Sequence, residues 1–100
     1  MRVRTIGVAG LGLLGRGICA CFLGHGFRVV GFTRRTETHD TARRYIGEAI
    51  GDLVERAGFS EALIAEWPQR YEAVTTWDRF AGCEFIIESV AEDAAVKQQV

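Results

Sequence analysis

Three glycines near the start constrain this chain more than any other feature. Gly10, Gly12 and Gly15 are spaced G-x-G-x-x-G. They follow a short apolar run, Ile6 to Ala9, that reads as a buried strand. A helical pattern opens just after them, with Leu14, Ile18 and Phe22 four residues apart. Strand, glycine turn and helix are the context that gives this spacing a physical meaning. Gly10 permits the tight turn off the strand. Gly12 lacks a Cβ, so a pyrophosphate can approach the backbone. Gly15 lets the helix lie close to the strand. The phosphates would then meet the free N–H groups and the positive dipole end of the helix. The loop Gly10-Leu11-Gly12-Leu13-Leu14-Gly15 is therefore the candidate dinucleotide cradle.

One hundred residues allow one domain at most. Such a chain buries roughly two thirds of its surface on folding. An apolar share of 48% and a charged share of 25% fit an ordinary globular protein. The formal net charge is −1, which offers no electrostatic case for nucleic acid or an anionic membrane. There is no apolar run long enough to span a bilayer. Glycines and Arg16 interrupt the apolar stretch behind Arg2 and Arg4, so no signal peptide is expected. Cys19, Cys21 and Cys83 make an odd count with no framework spacing, which points to reduced thiols and a cytoplasmic location. Two cysteines two apart on a helix diverge, so no metal site is expected and they read as buried small hydrophobes.

The chain predicts strands over 5–9 and 27–32, with a helix over 13–24 between them. Gly26 is placed to adopt positive φ just past that helix. Thr36 to Asp40 reads as a polar turn, with Thr38 or Asp40 capping the next helix. Ala42, Tyr45, Ile46, Ala49, Ile50, Leu53, Val54 and Ala57 then follow a helical period, while Arg43, Arg44, Glu48, Asp52, Glu55 and Arg56 fill the other face. Gly58 stops this helix. Ser60 caps a shorter one ending near Trp67, with Pro68 just beyond. Trp67 is expected as a lid on the core. A third strand is expected over 72–75, a turn or short helix over 77–81, and a fourth strand over 85–90. Helical composition resumes at Ala94. The implied class is α/β: half of a doubly wound parallel sheet of Rossmann type, in strand order 3-2-1-4.

In NAD-binding units an acidic residue about 20 positions after the glycines holds the adenosine ribose. Here the second strand ends in Phe32-Thr33-Arg34-Arg35, without a carboxylate. Thr33 does not repel a 2′-phosphate, and Arg34 and Arg35 offer forked donors that match one. A charge-assisted contact of that kind is worth about 1.5–3 kcal/mol. The tip therefore favours NADP over NAD, the alternative being solvated arginines with Glu37 on the ribose. At the end of the fourth strand, Glu92, Asp93 and Lys97 fall where ligands of open α/β sheets sit. Glu88, inside that strand, either has a buried partner or faces solvent at the sheet edge.

Three stretches resemble the N-terminal domain of the 3-hydroxyacyl-CoA dehydrogenase family. The first is the glycine loop and its continuation to Arg16-Gly17-Ile18. The second is the long paired-helix insertion between strands two and three. The third runs from Ile86 to Lys97, Ile-Ile-Glu-Ser-Val-Ala-Glu-Asp-Ala-Ala-Val-Lys, and is similar to the family's IEAV-x-E-x-x-x-x-K segment. The resemblance implies a nicotinamide-dependent oxidoreductase of fatty acid metabolism. Hydride would pass between nicotinamide C4 and C3 of a 3-hydroxyacyl-CoA or related 3-hydroxy acid. It also implies nucleotide contacts at Ala91, Glu92 and Lys97, and it sets Thr33 where the family has its ribose aspartate. The family's catalytic serine, histidine with its glutamate, and asparagine all fall beyond Val100, so no catalytic residue is assigned here. His25 and His39 match no catalytic position. On this resemblance residues 1–100 are the dinucleotide-binding part of a larger, homodimeric dehydrogenase whose substrate domain lies outside the chain.

Two other readings remain. β-Hydroxyacid dehydrogenases share the glycine loop but normally carry a single short helix before the third strand. A non-catalytic nucleotide sensor would use the same loop without the missing domain.

Overall fold

The structure is a computed structural model that describes residues 4–89. Four strands and three α-helices alternate along it: β1 (Thr5–Ala9), α1 (Leu13–Gly24), β2 (Arg28–Phe32), α2 (Thr36–Ala57), α3 (Ala62–Arg70), β3 (Tyr71–Val74) and β4 (Phe85–Glu88). A 3-10 helix, Trp77–Gly82, joins β3 to β4. The strands form one parallel sheet in the order β3-β2-β1-β4. The half-Rossmann sheet expected from the sequence is thus present.

Alternation along the strands divides the core between two faces. Ile6 and Val8 of β1 and Val29 of β2 pack with Leu11, Cys19, Leu23, Ala42, Ile46, Ile50, Leu63, Trp67 and Tyr71 on the helical face. Ala9, Val30, Phe32 and Val74 pack with Phe80 of the 3-10 helix on the other. Trp67 is buried in the helical-face core, as expected of a lid.

The helix α1 ends where Gly26 permits it. Gly26 has φ 93°, its N–H reaches the Leu23 carbonyl, and the Phe27 N–H reaches that of Phe22. The rings of Phe22 and Phe27 meet at 5.1 Å, completing a Schellman closure. That hydrogen bond ties Phe27 to the helix, so β2 starts at Arg28 rather than at Phe27. The buried side of α1 is Gly15, Cys19, Ala20 and Leu23, one residue round from the Leu14, Ile18, Phe22 row. Small residues face the sheet there because the helix must lie close to it. Cys21 is exposed, not buried as expected, because it lies across the helix from Cys19.

The helix α2 begins six residues earlier than Ala42, at Thr36. No side chain caps it, and Arg35 takes the N-cap position. The expected turn over Thr36 to Asp40 is its first turn and more. His39 therefore lies in a helix, with its Nε2 2.9 Å from the Val74 carbonyl oxygen, instead of in a loop. At the other end Gly58 stops α2 with φ 76°.

The third helix runs through Pro68 to Arg70 instead of stopping near Trp67. Proline cannot donate to the carbonyl four residues back, so Pro68 leaves that helical bond unmade. The Arg70 guanidinium then anchors the end, donating to the carbonyls of Leu23 at 3.0 Å and Phe27 at 2.7 Å. Strand β3 consequently starts at Tyr71, not Glu72, and ends at Val74. Strand β4 ends at Glu88, although the Ser89 N–H still donates to the Ala9 carbonyl at 2.8 Å. The expected helix from Ala94 lies outside the described residues.

Candidate nucleotide site

The carboxyl ends of β1, β2 and β4 come together at one edge of the sheet. Ala9 pairs with Phe32 on one side and with Glu88 on the other. The chain leaves β1 at Gly10, whose φ of 99° suits glycine alone. The Gly10 N–H donates to the Phe32 carbonyl at 2.9 Å, which binds the turn to the neighbouring strand. Gly12 is the N-cap of α1, with φ −72° and ψ −163°, and the first helical bond runs from the Arg16 N–H to the Gly12 carbonyl at 2.9 Å. The N–H groups before Arg16 therefore have no partner inside the helix. The first turn of α1 carries no acidic side chain to compete for them.

Beside this loop lies a cavity of about 490 Å³, lined by Ala9, Gly10, Phe32, Thr33, Arg34, Arg35, Trp77, Glu88 and Ser89. That size suits a small-molecule ligand. The Arg35 N–H donates to the Thr33 hydroxyl at 3.4 Å, folding the strand-two tip into a tight turn. Both arginines are exposed, and the Arg34 guanidinium lies 6.0 Å from the centroid of Phe32. Glu88 lines the cavity and is solvent-exposed, so it needs no buried partner. Glu37 stands in the first turn of α2 and does not line the cavity.

Of the residues singled out in the sequence, Gly10, Thr33, Arg34 and Arg35 border the cavity together. Gly12 and Gly15 shape the loop beside it. Leu11 is fully buried in the helical-face core, so its side chain serves packing. Leu13 and Leu14 are exposed on the first turn of α1. Ala91, Glu92 and Lys97 lie outside the described residues. Trp77 and Ser89 were not foreseen in the cavity. Trp77 sits in a short stretch without periodicity, and only its position just past β3 hinted at the ligand edge. The Thr76 hydroxyl donates to the Asp78 carboxylate at the start of the 3-10 helix and holds that carboxyl below its ordinary range. Arg79 pairs with Glu72 of β3 at 2.6 Å.

A parallel sheet in this order, a glycine turn into a helix N-terminus and a cavity at the strand ends together define a dinucleotide-binding domain. The residues fit such a ligand: the loop leaves N–H groups free, and the cavity carries two guanidiniums against one carboxylate. Residues 5–100 match the family described as 3-hydroxyacyl-CoA dehydrogenase, NAD binding domain, and the chain belongs to that family.

Solved structures agree. Over 99% of its length the chain is similar to 3-hydroxybutyryl-CoA dehydrogenase from Escherichia coli K12, with 25% identity and a TM-score of 0.80. Over 98% it is similar in fold to (S)-3-hydroxybutyryl-CoA dehydrogenase from Ralstonia eutropha, with 24% identity and a TM-score of 0.79. FadB2 of M. tuberculosis gives 23% identity and a TM-score of 0.81 over 99%. The chain spans 21% of the Escherichia coli protein and 35% of each of the other two. No helix among the described residues is long and apolar enough to cross a membrane.

Proposed function

We propose that this chain binds a nicotinamide dinucleotide and forms the cofactor-binding part of a dehydrogenase for a 3-hydroxyacyl-CoA or related 3-hydroxy acid. The observation that carries this is the meeting of the Gly10 turn, the α1 N-terminus and the Thr33-Arg34-Arg35 tip around one cavity. When bound, the nicotinamide supplies C4 as donor or acceptor of the hydride. The chain's own residues bind and orient. The free N–H groups of the Gly12–Gly15 turn receive the pyrophosphate, and the β2 tip receives the adenosine ribose. Ala91, Glu92 and Lys97 would add contacts toward the ribose and nicotinamide. Residues 1–100 would act within a longer chain that supplies the catalytic residues, the substrate domain and a homodimer contact. The three unpaired thiols favour a reducing compartment, the cytoplasm.

The tip favours NADP over NAD. Thr33 leaves room and no negative charge at the 2′ position, and Arg34 and Arg35 stand beside it. Glu37, the acid in the first turn of α2, lies off the cavity. Titration with NADPH and NADH tests both levels of the reading. NADPH should bind at least about tenfold more tightly, as one charge-assisted contact commands. Double substitution Arg34→Ala/Arg35→Ala should remove that margin and leave NADH affinity nearly unchanged. Equal affinities in the unaltered chain would reject the NADP preference, and no binding of either would reject the function.

A further inference from the structure

The structure assigns Trp77 as the platform for the adenine ring, an inference that rests on the nucleotide-binding reading above. Trp77 is 48% exposed although it is the larger member of a close aromatic pair. Its ring lies 4.2 Å from that of Phe32, with 32° between the planes, and Phe80 meets its edge at 5.4 Å and 79°. Phe80 and Phe32 are buried, so the indole is held from beneath and from the side. The Asp78–Thr76 and Arg79–Glu72 contacts fix the short helix that carries it. An exposed indole held in this way is a preorganised surface rather than a loose side chain.

What borders that surface selects the ligand. Trp77 lines the same cavity as Gly10, Thr33, Arg34, Arg35 and Glu88. An apolar aromatic shelf suits a flat heterocycle, because a nucleobase offers a π-face of its own. The guanidiniums beside it suit phosphate, and the Glu88 carboxylate can accept from an amine or hydroxyl. An adenosine phosphate presents all of these groups within one small molecule. The phosphate-binding loop begins at Gly10, which lines the same cavity, so base, sugar and pyrophosphate can be held along one lining. Trp77 would therefore set affinity for the adenosine half of either dinucleotide, whereas Arg34 and Arg35 discriminate the 2′-phosphate.

The test is titration of the chain with NADH, NADPH and adenosine 5′-monophosphate, in the unaltered form and as Trp77→Leu and Trp77→Phe. Trp77→Leu should weaken all three by a similar factor, about tenfold, within the range that base stacking commands. Trp77→Phe should restore most of the loss, since it keeps an aromatic face. Adenosine 5′-monophosphate should also quench the tryptophan emission of the unaltered chain and not that of Trp77→Phe, a readout that holds even if Trp77→Leu folds poorly. Unchanged affinities in a folded Trp77→Leu, or equal quenching in Trp77→Phe, would overturn this role and leave nucleotide binding standing. Failure of the unaltered chain to bind any of the three would overturn both.

Discussion

Gly15 of α1 lies so close to Gly10 of the β1 turn that a Cβ on Gly15 would overlap the Gly10 carbonyl oxygen and press on the Ser89 hydroxyl. Backbone, not a flexible side chain, occupies the space. The third glycine of the motif is thus required by the fold itself, before any ligand arrives. Gly15→Ala should cost about 3 kcal/mol, the upper part of the overpacking range, because neither chain segment can yield cheaply. Urea unfolding should show the midpoint falling with an unchanged slope. A loss under about 0.5 kcal/mol, as for an ordinary surface change, would show that the loop relaxes freely.

Gly12 is the opposite case. Its φ of −72° is open to any residue, so conformation does not demand glycine there. Gly12→Val should leave unfolding within about 1 kcal/mol of the parent, as at an unstrained site. It should abolish binding of NADH and NADPH in a fluorescence titration, since a branched side chain would fill the place of the pyrophosphate. Full retention of binding would make the loop a structural turn only.

The Cys19 thiol is fully buried beneath the sheet, and burial pushes its pKa from 9.0 up to about 12. A group with a raised folded pKa contributes stability that is complete below its unfolded pKa and lost as pH rises through the folded one. Stability should therefore decline from about pH 9 toward about pH 12. Burial raises Tyr71 in the same way, aided by its proximity to Cys19, and steepens the decline at the alkaline end. Equilibrium unfolding across this range should show Cys19→Ala with a flatter slope than the parent. Parallel slopes would mean that Cys19 contributes nothing to alkaline lability.

Much of this could be read from the residues because local and global preferences agree. The apolar run over 5–9 and the glycines at 10 and 26 fix β1 and α1 to the residue. Order 3-2-1-4 follows from strands and helices in alternation. The start of α2 could not be read, because its first turn is mostly solvated and carries neither apolar period nor cap. The true inner face of α1 was hidden by size: Leu14 looks like a core residue, yet the buried face is Gly15, Cys19, Ala20 and Leu23, small along most of its length. The end of α3 depends on Arg70 reaching carbonyls of Leu23 and Phe27, contacts between residues far apart in sequence. Trp77 was barely legible as a site residue for the same reason. Only the folded sheet carries it to the tip of β2.

The strand β4 is apolar, yet Phe85 is 54% exposed and Ile86 50% exposed. They lie on opposite faces, since Phe85 pairs with Ile6 and Ile86 with Gly7. On the helical face, Arg4, Ile6, Phe22, Phe27 and Phe85 border an open apolar groove of about 570 Å³. Parallel strands are normally covered on both faces, and an exposed apolar edge invites pairing with another chain. Covering the exposed halves of Phe85 and Ile86 would gain roughly 1 kcal/mol each. A polypeptide of residues 1–100 should therefore self-associate, with a sedimentation coefficient that rises with concentration. The double substitution Phe85→Lys/Ile86→Lys places charge on both faces of the edge and should yield a monomer at every concentration. A stable monomer with cooperative unfolding in the unaltered polypeptide would show that these faces need no cover.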